Sequence, residues 1–433
     1  MPAPTWPRCA HGAGPTDPIG CRGVQVSGHT ACLAHLTDPD RDTYLAGLTP
    51  GADIDHRGTP FTEELLNRLL DAVRDPTTTR PHIGTARFEE ARFSGDVWFE
   101  EARFSGDARF QGAKISGDAW FQGAQFSSNA RFDGAHITQD AQFDGAQFLA
   151  ASWWGPVVCG GTVDLSGAVF GAPVTLEVAA RQVRCTRTRW QSTATVRVRH
   201  ASVDLGHAVL EAPLAVTAHS TPFTTTAGPI LDETMLSESG VVRVASVQGV
   251  DAAHLVLTDT DLSDCLFSGA FRLDQLRLEG RTTLASTPTG WHRKGISPLR
   301  WTRRRTLAEE QHWRAQTAGQ PPTPAGAPPE PRRWRTGPHH PDPARTPDPD
   351  DVAALYRQLR KAFEDGKNEP GAADFYYGEC EMRRHARTGT PKAERRLLWA
   401  YWLLSGYSLR AGRALGWLAA ANSWAFRSGG TRW

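Results

Sequence analysis

The sequence predicts a mainly β protein, in which a solenoid of short strands is followed by a helical module. Three observations point to it. Eleven-residue units repeat from Ala86 onward, helix-type spacing of apolar residues appears before and after the repeat, and net charge changes sign along the chain. Residues 281–433 hold 26 of the 48 Lys and Arg and 14 of the 47 Asp and Glu. This asymmetry indicates two parts with different partners.

Composition excludes several classes of protein. The net charge of +1 argues against a strongly basic nucleic-acid binder and against an acidic tail protein. The sequence contains no P-loop, no G-x-S-x-G, no H-E-x-x-H and no dinucleotide fingerprint. We therefore predict a non-enzymatic protein with no small-molecule substrate.

Residues 1–58 form a predicted N-terminal lobe that is rich in cysteine and histidine. Its candidate metal ligands have the spacing C-x-H-x9-C-x10-C-x2-H and are Cys9, His11, Cys21, Cys32 and His35. Four Cys and His ligands suffice for a structural zinc site, and a metal would help a lobe with little core to fold. We predict Zn²⁺ on Cys9, Cys21, Cys32 and either His11 or His35. The alternative is a set of reduced cysteines packed in a small lobe.

Residues 59–80 carry the pattern of a helix that caps the solenoid. Thr59 is the predicted N-cap and Pro60 the first helical residue. Apolar residues follow along one face, namely Leu65, Leu66, Leu69, Leu70 and Val73. Solenoids need such caps because their end coils are otherwise exposed.

Six eleven-residue units, beginning ARFEEARFSGD, cover residues 86–151. Each unit is a five-residue step followed by a six-residue step, which fits neither a helix nor simple strand alternation. Two units would make one coil of 22 residues, with neighbouring coils about 4.8 Å apart. Large apolar side chains should stack from coil to coil as a structural ladder: Phe88, Phe93, Phe99, Phe104, Phe110, Ile115, Phe121, Phe126, Phe132, Ile137, Phe143 and Phe148.

These steps resemble the pentapeptide-repeat family, whose motif is a small residue, a polar residue, a central Leu or Phe and two variable residues. The resemblance implies a right-handed quadrilateral β-helix, which we extend over residues 81–285. The pattern VDLSGAVFGAPVTL at residues 163–176 recurs as VDLGHAVLEAPLAV at residues 203–216. This offset of 40 residues predicts two coils of about 20, followed by a loop excursion at about 218–238.

The C-terminal third is predicted to be basic and partly helical. Residues 286–317 are a Trp-rich basic segment, which suits a helix packed on the solenoid end, an interfacial anchor or, less favoured, stacking on nucleic-acid bases. Residues 318–350 are Pro-rich and predicted as a disordered linker. Residues 351–389 form a predicted helical hairpin, with Asp350 or Asp351 as its N-cap. Glu379 and Glu381 in its second helix are predicted to form salt bridges.

Residues 390–433 alternate apolar runs with arginine and resemble an amphipathic segment at an interface. The candidate interfacial residues are Trp399, Trp402, Arg410, Arg413 and Trp417. No run of 18 apolar residues occurs, so no full transmembrane helix is predicted. Seven cysteines and an N-terminus without an apolar h-region favour a reducing cytoplasm, with a peripheral position at the cytoplasmic membrane.

The Cys/His lobe, the Phe-rich steps and the motifs LYRQLRKAFED and LLWAYWLLSGYSLRAGRALGWLA together resemble an actinobacterial group of pentapeptide-repeat membrane proteins. In that group the hairpin is followed by transmembrane helices, sometimes resembling a two-helix ion channel. This chain departs from the group after GWLAA, which implies a truncated membrane part.

We predict a non-enzymatic scaffold that binds a protein partner, with nucleic acid an unlikely one. The alternatives are a DNA mimic that inhibits an enzyme such as gyrase, and a remnant of a channel-like membrane protein. Residues 86–151 carry ten acidic and six basic residues, a weak acidic excess for a DNA mimic.

Overall fold

The computed structural model describes residues 4–150, 153–225, 228, 230–236, 240–294, 297–300, 303–322, 330–336 and 348–429, without the side chains of 291–300 and 425–429. The chain forms two compact units. The first comprises Met1–Val250, His254–Thr260 and Glu279–Arg281, and the second comprises Asp251–Ala253, Asp261–Leu278 and Thr282–Trp433.

Four parallel sheets form the sides of a β-solenoid in the first unit. We call them sides A to D. Side A contains Ile54–Asp55, Ala86–Arg87, Ala108–Arg109 and Ala130–Arg131. Side B contains Val97–Trp98, Ala119–Trp120, Ala141–Gln142, Thr162–Asp164, Gln182–Arg184, Ser202–Asp204 and Arg243–Ser246. Side C contains His82–Ile83, Arg103–Phe104, Gln125–Phe126, Gln147–Phe148, Val169–Phe170, Arg189–Trp190 and Val209–Leu210.

Side D is the longest sheet. In the first unit it contains Pro60–Phe61, Arg92–Phe93, Lys114–Ile115, His136–Ile137, Trp153–Cys159, Val174–Ala179, Ala194–Arg199, Leu214–Ala218 and Leu255–Thr258. A further strand, Arg277–Glu279, falls at the boundary of the two units. The predicted parallel β-solenoid is therefore present.

The coil length in the repeat segment is 22 residues. On side A, Ala86 lies opposite Ala108, which lies opposite Ala130. The small alanine is buried in each coil and leaves room for the aromatic rings that follow it. All twelve predicted ladder residues are at most 4% exposed. Rings one coil apart stack nearly parallel: Phe104 and Phe126 have centroids 5.0 Å apart at an interplanar angle of 1°.

Two kinds of corner explain the alternation of five and six residues. The five-residue corner is a β-turn in which the amide of Ala91 donates to the carbonyl of Phe88, and its third residue, Glu90, has a φ of +57°. The corresponding residues in later turns are glycines such as Gly112 and Gly123, which adopt this conformation without steric cost.

The six-residue corner carries the motif S-G-D, and its aspartates link neighbouring coils. Asp96 Oδ1 accepts the amide of Asp118 at 2.9 Å, and Asp118 Oδ1 accepts that of Asp140 at 2.8 Å. The preceding glycine is needed because a Cβ on Gly117 would lie 2.2 Å from Asp96 Oδ1. The extra residue of every second step therefore belongs to a corner that joins two coils.

The solenoid changes its cross-section after residue 150. Side A has its last strand at Ala130–Arg131, and the long strand Trp153–Cys159 takes over both its position and that of side D. Trp154 packs on Phe132 at 5.2 Å, while Cys159 pairs with Ile137. Later coils have three strands and 20 residues, as Val163, Val183 and Val203 show by their register. The predicted four-sided section is thus correct for residues 54–150, and the following coils are three-sided because one turn is lost.

The N-terminal end of the solenoid is covered by α1 (Asp38–Ala46) and α2 (Glu63–Ala72). Thr62 caps α2, since its hydroxyl accepts the amide of Leu65 at 3.3 Å. The predicted start at Thr59 was three residues early, because Pro60 and Phe61 pair with the next coil as a strand of side D. A short 3₁₀ turn, Leu33–His35, precedes α1.

The predicted loop excursion leaves side D at Ala218 and returns to side B at Arg243. Phe223 and Leu236 from this loop pack on Val158 and Ala179 of side D. Glu233 fixes the loop by accepting from Arg199 Nε at 2.7 Å. A further 3₁₀ turn, Ala252–His254, follows the return strand.

The second unit contains short strands and five helices. Ala285–Ser286 pairs with Arg305–Thr306, and Trp291–Lys294 pairs with Ser297–Arg300, both antiparallel. The remaining elements are the 3₁₀ turn Leu273–Gln275, α3 (Ala308–Thr317), α4 (Pro349–Asp365), α5 (Glu369–His385), α6 (Lys392–Ser405) and α7 (Ala411–Gly429). The N-cap of α4 is Asp348 rather than the predicted Asp350 or Asp351. Most of the predicted linker 318–350 lies outside the described residues.

Buried ion pairs connect α3, α4 and α5. The carboxylate of Glu310 accepts from Arg304, from Arg314 Nε at 2.6 Å and from the hydroxyl of Tyr356. Arg314 also reaches Glu381 at 3.1 Å. Glu310 is fully buried, so these partners replace the water that its charge has lost.

Candidate functional site

A backbone hairpin brings the first two cysteines of the lobe together. The amide of Cys9 donates to the carbonyl of Gly23 at 2.7 Å, and the amide of Cys21 donates to the carbonyl of His11 at 2.9 Å. The third cysteine, Cys32, precedes the 3₁₀ turn Leu33–His35, and the amide of His35 donates to its carbonyl at 2.9 Å. A hairpin and one tight turn therefore supply the four candidate ligands.

Four of the five predicted ligands form a compact cluster. Cys9, Cys21, Cys32 and His35 place one donor atom each within 4.8 Å of one another. The two sulfurs of Cys21 and Cys32 are 3.8 Å apart. Nδ1 of His35 lies 3.5 Å from the sulfur of Cys9 and 3.3 Å from that of Cys32. This Cys3His cluster could hold a metal ion.

The surroundings of the cluster fit a metal site. The amide of Gly23 donates to the sulfur of Cys21 at 3.4 Å, an interaction that favours a thiolate. A Cβ on Gly23 would lie 2.8 Å from the sulfur of Cys32, so a larger residue would displace a ligand. Cys32 is fully buried, whereas Cys9 and Cys21 are partly exposed.

The sulfurs share protons unequally. A hydrogen bond from the thiol of Cys32 lowers the pKa of Cys21 far below that of an ordinary thiol, helped by the amide of Gly23 and by His35. The same hydrogen bond, together with burial, raises the pKa of Cys32. One thiolate is thus stabilised at neutral pH, and a bound cation would replace the shared proton.

His11 stands beside the cluster and not in it. Its ring stacks on that of His35, with centroids 4.1 Å apart and an interplanar angle of 19°. The prediction left His11 and His35 open as the fourth ligand, and the geometry selects His35. His11 packs against the ligand ring from the solvent side.

The lobe is tied to the first coils of the solenoid. The amide of Val24 donates to the carbonyl of Arg57 at 2.8 Å, next to side A. Arg22 forms an ion pair with Glu90 at 2.9 Å. The segment between Cys21 and Cys32 therefore connects the ligand cluster directly to the solenoid.

The five predicted interfacial residues divide into two groups. Trp399 and Trp417 are 52% and 47% exposed. Trp402 is half-buried, with the guanidinium groups of Arg384 and Arg413 each 4.8 Å from its ring centroid.

Both predicted arginines hold the segment to its own unit. Arg413 donates to the carbonyl of Trp402 at 2.9 Å, and Arg410 donates to the carbonyl of Arg303 at 3.3 Å. Trp402, Arg410 and Arg413 therefore stabilise the packing of α6 and α7, and the two exposed tryptophans face solvent.

Exposed apolar side chains concentrate in the same segment. Among the described side chains, fourteen large hydrophobic ones are exposed, and eight of these lie within residues 397–424. Over the described part of the chain, no helix combines the length and the apolar character needed to cross a membrane.

A family model for pentapeptide repeats matches residues 82–114 and 99–147. The matched stretch coincides with the four-sided, Phe-stacked coils. The chain is a pentapeptide-repeat protein. Searches of curated proteins and of solved structures each found no match.

Some residues that shape the pentapeptide-repeat protein were missed from the sequence. Glu379 and Glu381 pair with arginines as predicted, at 2.9 Å from Arg357 Nε and from Arg384 respectively. Their link to the buried Glu310 was not predicted, because it depends on residues far apart in the sequence. Gly23 could have been found from its place two residues after a candidate ligand.

Proposed function

We propose that this pentapeptide-repeat protein is a non-enzymatic scaffold that binds a protein partner through its solenoid and is held at a membrane surface by residues 390–433. The observation that carries the proposal is the concentration of exposed apolar side chains in α6 and α7. Large exposed apolar surfaces on soluble domains mark sites of association.

The character of α7 favours lipid over water around it. Between Arg413 and Arg427 the helix has no charged residue, and its described side chains from Leu415 to Trp424 are all exposed. Those thirteen uncharged residues extend about 20 Å along the axis, which is less than the ~30 Å thickness of the hydrocarbon core. A helix of this kind suits a position in the interfacial plane.

Vesicle flotation with the full chain tests the attachment. We expect the protein to float with phospholipid vesicles and the double variant Leu415→Gln/Leu418→Gln to float at least tenfold less. The matched control is Leu149→Gln/Ile230→Gln, because these residues are also exposed but lie on the solenoid and its loop. Equal flotation of both variants, or no flotation of the parent, would contradict the membrane attachment.

The charges of the four-sided coils favour a scaffold over a DNA mimic. Arg87, Arg109 and Arg131 form a column on side A, one coil apart. Arg109 pairs with Asp107 at 2.8 Å, and Arg131 pairs with Asp133 at 3.2 Å. Such alternating charges do not resemble a run of phosphates. We expect no inhibition in a gyrase supercoiling assay, and inhibition at stoichiometric concentration would favour the mimic.

For the Cys3His cluster we propose a structural Zn²⁺. Zinc bonds of about 2.3 Å to sulfur and about 2.0–2.1 Å to nitrogen give tetrahedral edges of about 3.8 Å and about 3.5 Å. The measured separations of 3.8, 3.5 and 3.3 Å are close to these edges. A bound ion would stabilise the lobe where it meets the first coils.

Metal analysis of the purified full chain tests the zinc proposal. We expect about one Zn²⁺ per chain, loss of the metal in His35→Ala, and retention in His11→Ala. The two variants remove the same side chain from neighbouring rings, so they separate ligation from general disturbance of the lobe. A metal-free parent, or equal retention in both variants, would overturn the assignment.

A further inference from the structure

The segment that carries the exposed apolar side chains also has a charge of one sign. From Arg395 to the last residue of the sequence there are six arginines and no Asp, Glu or Lys. We define the C-terminal face as the exposed side chains of Leu397, Trp399, Leu404, Leu415, Trp417 and Leu418. An apolar surface with arginine alone around it is complementary to a surface that is both apolar and negatively charged.

The arginines of this segment play different parts. Arg410 and Arg413 donate to backbone carbonyls and hold α6 and α7 in place. Arg396 is exposed and lies one helical turn before Trp399 on the outward side of α6. Arg395 is half-buried at the border of that side. Neither Arg395 nor Arg396 forms an ion pair with a carboxylate in the part of the chain that the structure describes.

The inward side of α6 is already occupied. Leu398, Tyr401 and Trp402 pack on a cluster of Tyr377, Cys380 and Tyr407 from within the same unit. The hydroxyl of Tyr377 accepts from Trp402 Nε1 at 3.1 Å. This packing fixes which side of the helix is turned outward, so the arginine and the apolar residues of the C-terminal face are presented together.

We propose that the C-terminal face binds an anionic lipid bilayer, with the apolar side chains in the interfacial layer and Arg395 and Arg396 against the headgroups. This inference rests on the membrane attachment proposed above and adds the class of lipid. Aromatic rings at the headgroup level and arginines that reach upward from apolar surroundings are the usual composition of such an interface.

The charge contribution can be stated as a change in binding. A Lys or Arg near an anionic leaflet contributes about 1 kcal/mol, which is about a fivefold change in partition coefficient. The double variant Arg395→Gln/Arg396→Gln should therefore weaken binding to anionic vesicles by about 30-fold. It should leave binding to neutral vesicles nearly unchanged, because the apolar residues remain.

The experiment measures cosedimentation of the full chain with vesicles of phosphatidylcholine alone and with vesicles containing 30% phosphatidylserine, at low and at high salt. The control variant is Arg277→Gln/Arg281→Gln, which removes two exposed arginines outside the segment. We expect preference for the anionic vesicles in the parent and the control, loss of that preference in Arg395→Gln/Arg396→Gln, and weaker binding at high salt.

The failures of the two proposals can be told apart. Equal binding of the parent to both kinds of vesicle overturns the anionic preference and leaves the membrane attachment intact. No binding to either kind overturns both. A parallel titration with a 30-base-pair DNA duplex covers the other polyanion: displacement from anionic vesicles by DNA, with tighter binding to DNA than to lipid, would also overturn the lipid assignment.

Discussion

Replacing Phe121 by alanine should remove a central ring of the Phe ladder. The ring is fully buried and stacks on Phe99 at 5.2 Å and on Phe143 at 4.8 Å. It also meets Phe110 and Phe132 edge to face at 5.5 and 5.7 Å. Phe121 therefore joins three consecutive coils, and no neighbouring side chain can fill its place without leaving its own stack.

The magnitude follows from these contacts. Phe→Ala in a rigid core costs about 3–5 kcal/mol of unfolding free energy, and the stacked arrangement places Phe121→Ala in the upper half of that range. Phe121→Leu keeps most of the volume and loses the ring contacts, each worth about 0.5–1.5 kcal/mol. We expect about 1–2 kcal/mol for Leu, because the leucine side chain recovers part of the packing.

Urea unfolding followed by circular dichroism of the β-sheet measures both changes. Phe271→Ala serves as the control, since that ring is 62% exposed, and should cost less than 0.5 kcal/mol. If Phe121→Ala costs no more than the control, the ladder is not the main source of stability. If Leu and Ala cost the same, volume and not ring stacking is irrelevant at this position, and the cavity argument fails.

Three further variants test the corners, the metal site and the buried ion pairs. Gly23→Ala should lower the metal content below half, because its Cβ would displace a buried ligand sulfur, whereas Gly14→Ala, with open space around it, should not. Asp118→Ala should cost about 1–2 kcal/mol in urea unfolding by losing the hydrogen bond to the next coil, and Asp118→Asn should recover most of it. Burial opposes ionisation of Glu310, yet neighbouring arginines hold its pKa at about 2 against an ordinary 4.5. Its contribution to stability is therefore complete above pH 4.5 and is lost as the pH falls toward 2, and Glu310→Gln should flatten the acid limb of a stability profile in that window.

The solenoid was predictable from the sequence because its core is periodic. A ladder residue is identified by its spacing of five and six, and the spacing also gives the coil length of 22. The loss of a corner after residue 150 was harder to predict. It depends on one strand, Trp153–Cys159, that runs through a position where earlier coils turn, and no periodic signal marks a single omitted turn.

The candidate metal centre was predictable in composition and only partly in geometry. The spacing C-x2-H indicated one tight turn, but it could not choose between His11 and His35. That choice depends on the hairpin that pairs Cys9 with Gly23 and directs the ring of His11 onto the back of His35. The buried pairing of Glu310 with Arg304 was beyond sequence reasoning, since an isolated glutamate in a helix predicts an exposed side chain.

The end of a stacked core has to be closed by something other than another coil, and the lobe supplies that closure. Below Phe88 the stack continues with Phe61 and then with His56, which is fully buried and 6.3 Å from the ring of Phe88. Burial lowers the pKa of His56 to about 4, so the imidazole stays neutral at physiological pH and acts as an aromatic plug. The plug lies one residue before Arg57, whose carbonyl accepts the amide of Val24 from the metal-binding lobe. A cluster that organises this lobe therefore also organises the last layer of the core, which gives the four ligands a structural reason to stand at this end of the solenoid.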